Sequence, residues 1–176
     1  MSDNFPVNKS VMNYIHTRDF FPKGDAENYK LAVQDLQFVP KKYGTEIHDF
    51  HMIFPEIDVL WGKMLGDFLD IVEDESGVFR KPYPDVIHFE DYESLNEWCF
   101  AVALDDIEFK TYRHISGIKN TLEIEGSIDD INFFNPEEWE RETSILMKPN
   151  DALFYRPWIF HSFGEGIIHY YKINVQ

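Results

Sequence analysis

Apolar positions change their spacing partway along the chain. Between residues 55 and 77, Ile57, Leu60, Trp61, Met64, Leu65, Phe68, Leu69 and Val72 recur at steps of three and four. That spacing is one apolar face of an α-helix. Pro55 suits a first turn, Glu56 and Asp58 complement the N-terminal dipole, and Gly77 suits a C-terminal end. The pattern predicts a main helix over about 56–75, packed as a buttress across the outside of a sheet. Asp67, Asp70, Glu73, Asp74 and Glu75 then form its solvated side. A shorter helix is predicted from Gly24-Asp25 to Asp35, on a looser recurrence of Tyr29, Leu31 and Val33.

From Val78 onward the texture is that of β-structure. Apolar runs at 86–89, 98–104, 107–112, 121–124, 144–147, 152–155, 159–163 and 167–175 are separated by turn-forming pieces. These include Asp105-Asp106, Ser116-Gly117, Lys148-Pro149-Asn150-Asp151 and Gly164-Glu165-Gly166. About eight short strands divided by turns predict an antiparallel sandwich or barrel. With one long helix ahead of them, the expected fold is mainly β, a jelly roll with an N-terminal helical buttress. The 176 residues suit one domain over 1–176, with 1–77 as an N-terminal extension and 78–176 as the β core. An aromatic content of 16%, with 16 Phe and 9 Tyr, agrees with half-buried pleated surfaces.

Charge narrows the function classes. A net charge of -16 repels phosphate backbones and anionic lipid, so neither nucleic acid nor a membrane surface is an expected partner. No run approaches the roughly 18 apolar residues of a membrane span. The single cysteine, Cys99, lies in the apolar run Trp98-Cys99-Phe100-Ala101-Val102 and reads as a buried structural thiol. One cysteine forms no internal disulfide, and Met1-Ser2-Asp3-Asn4-Phe5 lacks the pattern of a secretory leader. The expected location is the cytoplasm.

The histidines carry the candidate chemistry. In a strand, residues two apart share a face, so His88 and Glu90 project together with Phe89 opposite. An imidazole beside a carboxylate makes two corners of a facial triad for iron(II). The third corner must come from a distant strand, and His161 in Pro157-Trp158-Ile159-Phe160-His161-Ser162-Phe163 fits. Lys172 follows eleven positions later, on the strand expected to run beside that of His161, and shares parity with Tyr170. His48-Asp49-Phe50-His51 is a rival pair. Its neighbourhood alternates like a strand, so the two histidines face opposite ways and cannot chelate one ion. Each chosen residue also has a structural reading. His88 or His161 alone suits a packed core histidine, and Lys172 alone suits a partner for any of 32 acidic residues. There is no glycine-rich phosphate loop, nucleophile elbow or paired-cysteine zinc pattern.

A histidine–x–acid pair, a proline-turn strand, a second histidine and then a basic residue resembles the 2-oxoglutarate/iron(II) oxygenase superfamily. Within it, Phe109-Lys110-Thr111-Tyr112-Arg113-His114 followed by Ser116-Gly117, and Lys148-Pro149-Asn150-Asp151-Ala152-Leu153-Phe154-Tyr155, are similar to segments of small oxygenases of phages and marine bacteria. The likeness covers about residues 79–175. It implies a double-stranded β-helix, the cupin-like jelly roll, with Fe(II) and 2-oxoglutarate as cofactors. It implies His88, Glu90 and His161 as metal ligands, Lys172 on the distal carboxylate of 2-oxoglutarate, and Tyr112 and Tyr155 as hydrogen-bonding candidates there. Glu90 stands where the family usually has Asp, and Lys172 where Arg is commoner; Lys is a point charge without Arg's bidentate fork.

The implied activity is that of a dioxygenase (hydroxylase), turning 2-oxoglutarate to succinate while oxidising a C–H bond of a small-molecule or peptide substrate. Two alternatives stay open. One is a non-catalytic cupin-like binding module; the other is a cupin-type metalloenzyme that does not use 2-oxoglutarate. An acidic surface points to a neutral or basic substrate over an anionic one.

Overall fold

Strands form at six of the eight apolar runs predicted in the second half of the chain, and they pair antiparallel across two sheets. The structure, a computed structural model, describes residues 13–34, 37, 39–40, 46–48, 69–81, 84 and 86–175. Strand β1 (Tyr14–Thr17) and helix α1 (Lys23–Gln34) come first, then β2 (Val39–Pro40), β3 (Glu46–His48) and β4 (Leu69–Lys81). The remaining strands are β5 (Glu97–Ala103), β6 (Ile107–His114), β7 (Trp139–Met147), β8 (Ala152–Tyr155), β9 (His161–Phe163) and β10 (Gly166–Val175). One sheet has the order β1-β8-β5-β10-β4-β3-β2, the other β7-β6-β9. From β5 onward the chain passes back and forth between them, which is a jelly-roll-like arrangement.

Three expectations need correction. The main helix predicted over 56–75 is not helical from Leu69 on: Leu69–Lys81 is β4, paired antiparallel with β10. Leu69 and Ile71 fit a step of two as well as Leu69 and Val72 fit a step of three. A short apolar run does not discriminate between the two, and pairing decides. Gly77 lies opposite Tyr170 inside this ladder and does not end a helix. The rest of the predicted buttress, and His51, lie outside the described residues. His48 stands on β3, as the alternation predicts.

The second correction is at 121–124. Thr121–Glu123 is a single 3-10 turn, because the Asn120 side chain accepts from the Leu122 amide and starts the turn. The third is at 86–89, where no strand forms; His88 alone bridges to His161. By contrast, the short helix predicted from 24 to 35 is α1, one residue displaced.

Alternation splits the large sheet into two apolar faces. Cys99, Ala101, Ala103, Leu153, Tyr155, Ile168 and Tyr170 point into the space between the sheets, against Ile107, Phe109, Met147 and Phe163. Phe100, Val102, Leu104, Tyr171 and Ile173 point outward, where Phe21 and the α1 residues Tyr29 and Val33 cover them. On β10 the parity therefore works as read: His169 and Tyr171 go out, with rings 4.3 Å apart, while Tyr170 goes in. Cys99 is fully buried, and burial pushes its thiol well above the usual range, so it carries no nucleophilic thiolate. Among the described residues no helix is long and apolar enough to cross a membrane.

Candidate metal centre

His161 opens β9 and is completely buried. Phe109, Tyr155 and Phe163 surround its ring at centroid distances of 5.6, 4.7 and 6.0 Å. His88 is fastened beside it by two reciprocal backbone hydrogen bonds: the His88 amide donates to the His161 carbonyl at 3.0 Å, and the His161 amide donates back at 2.9 Å. Two residues later, the Glu90 amide donates to the Pro157 carbonyl at 2.8 Å. A single bridge and this one anchor thus do the work expected of a strand, and His88 and Glu90 still project together.

The three side chains converge. Glu90 Oε1 lies 3.4 Å from His88 Nε2 and 3.5 Å from His161 Nε2. One donor atom from each residue falls within a 4.8 Å group. The two imidazole rings sit 4.4 Å apart at 53°. Their far sides are tied to the backbone: His88 Nδ1 meets the Val86 carbonyl at 2.8 Å and His161 Nδ1 meets the Ile159 carbonyl at 2.9 Å. A carbonyl only accepts, so each Nδ1 carries the hydrogen, and a neutral ring then offers a bare lone pair at Nε2. His161 Nε2 has no hydrogen-bond partner among the described residues.

For His161, electrostatics favour the neutral ring. Burial, then the neighbouring His88, hold the His161 imidazole below its ordinary range, against a smaller opposing pull from Glu90. Burial works to raise Glu90, but the proximity of His161 and His88 outweighs it, and the carboxyl stays well below the usual carboxylate range. Two Nε2 nitrogens and one carboxylate oxygen are thus aimed at a common point. Donor atoms bound at about 2.0–2.2 Å to one ion stand roughly 3 Å apart at right angles, so the two Glu90 contacts need only a small contraction. The donor set fits a divalent first-row metal such as iron(II). His88 and Glu90 each leave about 30% of their side chains exposed, so the centre is walled by the core on the His161 side and open on theirs.

The remaining predicted site residues are divided between faces. Lys172, Cys99 and Tyr155 are direct partners across β10, β5 and β8, so they form one row on the interior face that leads towards His161. Tyr155 is therefore beside the centre. Lys172 faces inward, as its parity with Tyr170 predicts, but it is 3% exposed and already engaged. Its Nζ donates to the Asp91 carbonyl at 2.7 Å and lies 3.3 Å from Glu97 Oε2. Tyr112 is a correction. Phe109 and Thr111 of β6 face His161, the ladder to β7 is irregular between Thr111 and Tyr112, and the Tyr112 hydroxyl bonds Ser162, the residue between the inward His161 and Phe163, at 3.0 Å. It does not reach the centre.

Tyr170 entered the sequence reading only through its parity with Lys172, and Glu97 not at all. Tyr170 sends its hydroxyl to Cys99 Sγ at 3.2 Å, and burial raises its phenol well above the usual range, so it stays a donor. Glu97 is buried at 4% exposure at the head of β5. The only hint in sequence was an acid directly before the apolar run that begins at Trp98.

No protein-family model matches the chain, and no curated protein matches it in sequence. Solved structures do match in fold. The non-heme alpha-ketoglutarate-dependent epimerase SnoN from nogalamycin biosynthesis aligns with a TM-score of 0.61 at 16% identity, over 92% of this chain and 78% of that one. HygX from Streptomyces hygroscopicus, solved with nickel and 2-oxoglutarate bound, aligns at 0.64 and 11%, over 93% and 83%. The carbocyclase SnoK, also alpha-ketoglutarate-dependent and from nogalamycin biosynthesis, aligns at 0.62 and 11%, over 92% and 78%. The chain is similar to these enzymes across nearly all its length, and at such identities the similarity is one of fold.

Proposed function

We propose that the chain is an iron(II)- and 2-oxoglutarate-dependent oxygenase of the small kind that residues 79–175 resemble. His88, Glu90 and His161 are its metal ligands. The observation that carries this reading is the convergence of two backbone-oriented Nε2 atoms and one carboxylate oxygen within 4.8 Å. The SnoN, HygX and SnoK folds support it, because those enzymes are described with iron, nickel or 2-oxoglutarate.

Iron(II) held by two histidines and one carboxylate supplies open positions for a 2-oxo acid and dioxygen. The chain's own residues do the rest. The carbonyls of Val86 and Ile159 keep both imidazoles in the ligating tautomer. Glu90 stays ionised and brings the negative charge that neutralises part of the cation. Phe109, Tyr155 and Phe163 keep water from the buried side. Lys172 is the proposed cation for the distal carboxylate of the cosubstrate, with Tyr155 beside it in the same row. To serve, its ammonium must turn from Glu97 or share its hydrogens with it. A chain of charge -16 needs such a local cation to accept a dianion. The proposed substrate is a neutral or basic small molecule or peptide.

The test is to supply purified protein with iron(II), ascorbate and 2-oxoglutarate. Cosubstrate binding and succinate formation are expected, the latter rising with basic peptides or free amino acids over anionic ones. Neither binding nor succinate would reject the reading.

One observation favours a second reading, a metalloenzyme of this fold that does not use 2-oxoglutarate. The Lys172 ammonium is already met by Glu97 and the Asp91 carbonyl. On that reading turnover proceeds without added 2-oxoglutarate. On the favoured one turnover stops without it.

A further inference from the structure

Glu97 and Lys172 form an ion pair with both side chains about 95% buried, where each charge must be well satisfied to be tolerated. Their remaining partners are informative. Glu97 Oε1 accepts from the amides of Glu93 and Ser94 at 2.9 and 3.0 Å. Lys172 Nζ donates to the carbonyl of Asp91 at 2.7 Å. Arg156, stacked on Trp98 with its guanidinium 3.6 Å from the ring centroid, donates to the carbonyls of Leu95 and Glu97 at 3.2 Å. All of these bonds fall on the ten residues that follow His88.

We propose that Glu97 is a positioning residue for the metal centre: together with Lys172 it clamps the segment 91–94 and so sets where Glu90 presents its carboxylate. The inference rests on the metal reading above. Glu90 is held on one side by its own amide on Pro157. On the other side its neighbour's carbonyl is held by Lys172, and the next turn is held by Glu97. The clamp matters more here than it would for the shorter Asp. Glu90 has one more torsion to order when it ligates, so a fixed backbone limits the positions its oxygen samples. The pair also explains why a carboxylate and an ammonium are kept in the core of an otherwise apolar β5–β10 ladder. Two apolar side chains would fill that space at no electrostatic cost, but they could not hold three backbone groups of a loop.

The test uses cobalt(II) as the probe, titrated into the unaltered chain, Glu97→Gln and, as a control, His161→Ala. Glutamine keeps the shape and can still accept from the two amides, but it loses the charge facing Lys172. The expected result is a folded Glu97→Gln chain whose cobalt affinity falls about 10- to 100-fold, the usual effect of a residue that orients a ligand. Its visible cobalt spectrum should shift as the carboxylate ligand loosens. Equal affinity and an unchanged spectrum would overturn the inference while leaving the metal reading standing. No cobalt binding by the unaltered chain would overturn both. Should Glu97→Gln fail to fold, hydrogen exchange in the unaltered chain decides. The amides of Glu93 and Ser94 must exchange more slowly when cobalt binds, because coupling between ligand and clamp is reciprocal. No change in their exchange overturns the inference.

Discussion

At the scale of single residues, the candidate centre follows from local parity and two carbonyl contacts. Removing the Glu90 carboxylate, as in Glu90→Ala, should lower metal affinity by at least the roughly 10–100-fold that residues outside the ligand sphere command, as read by cobalt titration. Affinity equal to that of the unaltered chain would remove Glu90 from the centre. Tyr112→Phe makes the opposite kind of prediction. Its hydroxyl bonds Ser162 on the face away from His161, so its loss should cost about 0.5–1.5 kcal/mol of stability and leave 2-oxoglutarate affinity unchanged. A weaker cosubstrate complex in that variant would restore Tyr112 to the site. Tyr112 was carried in by the resemblance. The β6 ladder is irregular between Thr111 and Tyr112, so the Ser162 bond and not the pleat decides where its hydroxyl goes. Glu97 was hidden for a different reason. One carboxylate among 32 acidic residues reads as solvated surface until its backbone partners are known.

At the scale of elements, the large sheet separates structure from chemistry. Its inner face carries the row from Lys172 to Tyr155, while its outer face is closed by α1 and Phe21. Phe100 is fully buried on that outer face, against Phe20 and Phe154. Phe100→Ala should therefore cost about 3–5 kcal/mol in denaturant unfolding, yet the folded fraction should bind metal as tightly as before. A fall in affinity per folded chain would mean that the outer layer reaches the centre. Strands were legible as clean alternation in β6, and as continuous apolar runs buried on both faces in β5, β8 and β10. They were not legible in β4, where Leu69, Ile71 and Val72 satisfy both periods and the decision lies with pairing to β10, far away in sequence. The 3-10 turn at Thr121–Glu123 was missed because a side-chain cap from Asn120, not an apolar pattern, makes it.

At the scale of the whole molecule, a histidine buried in the outer layer predicts how stability depends on pH. His169 is fully buried beneath Tyr29 of α1 and beside Tyr171, and burial holds its imidazole well below the ordinary range. The unfolded chain therefore takes up a proton near pH 6.5 that the folded chain refuses. This contribution to stability is complete above about pH 6.5 and is lost as the pH falls below it, by up to about 1.4 kcal/mol per pH unit. His169→Phe should flatten the fall in melting temperature between about pH 7 and pH 5. An unchanged slope would mean that the folded state accommodates the proton. A jelly-roll-like fold was legible from turn spacing and apolar runs, and the grouping of His88, Glu90 and His161 was legible although the strand assumed at 86–89 does not form. What no pattern revealed is that the predicted cosubstrate cation is buried against a carboxylate. The central claim is tested most directly by anaerobic titration of iron(II) into the purified chain and into His161→Ala, with and without 2-oxoglutarate. The account predicts one iron per unaltered chain, a visible charge-transfer absorption when 2-oxoglutarate is added, and neither in the variant. An unaltered chain that takes up no iron, or a variant that takes up as much, would contradict it.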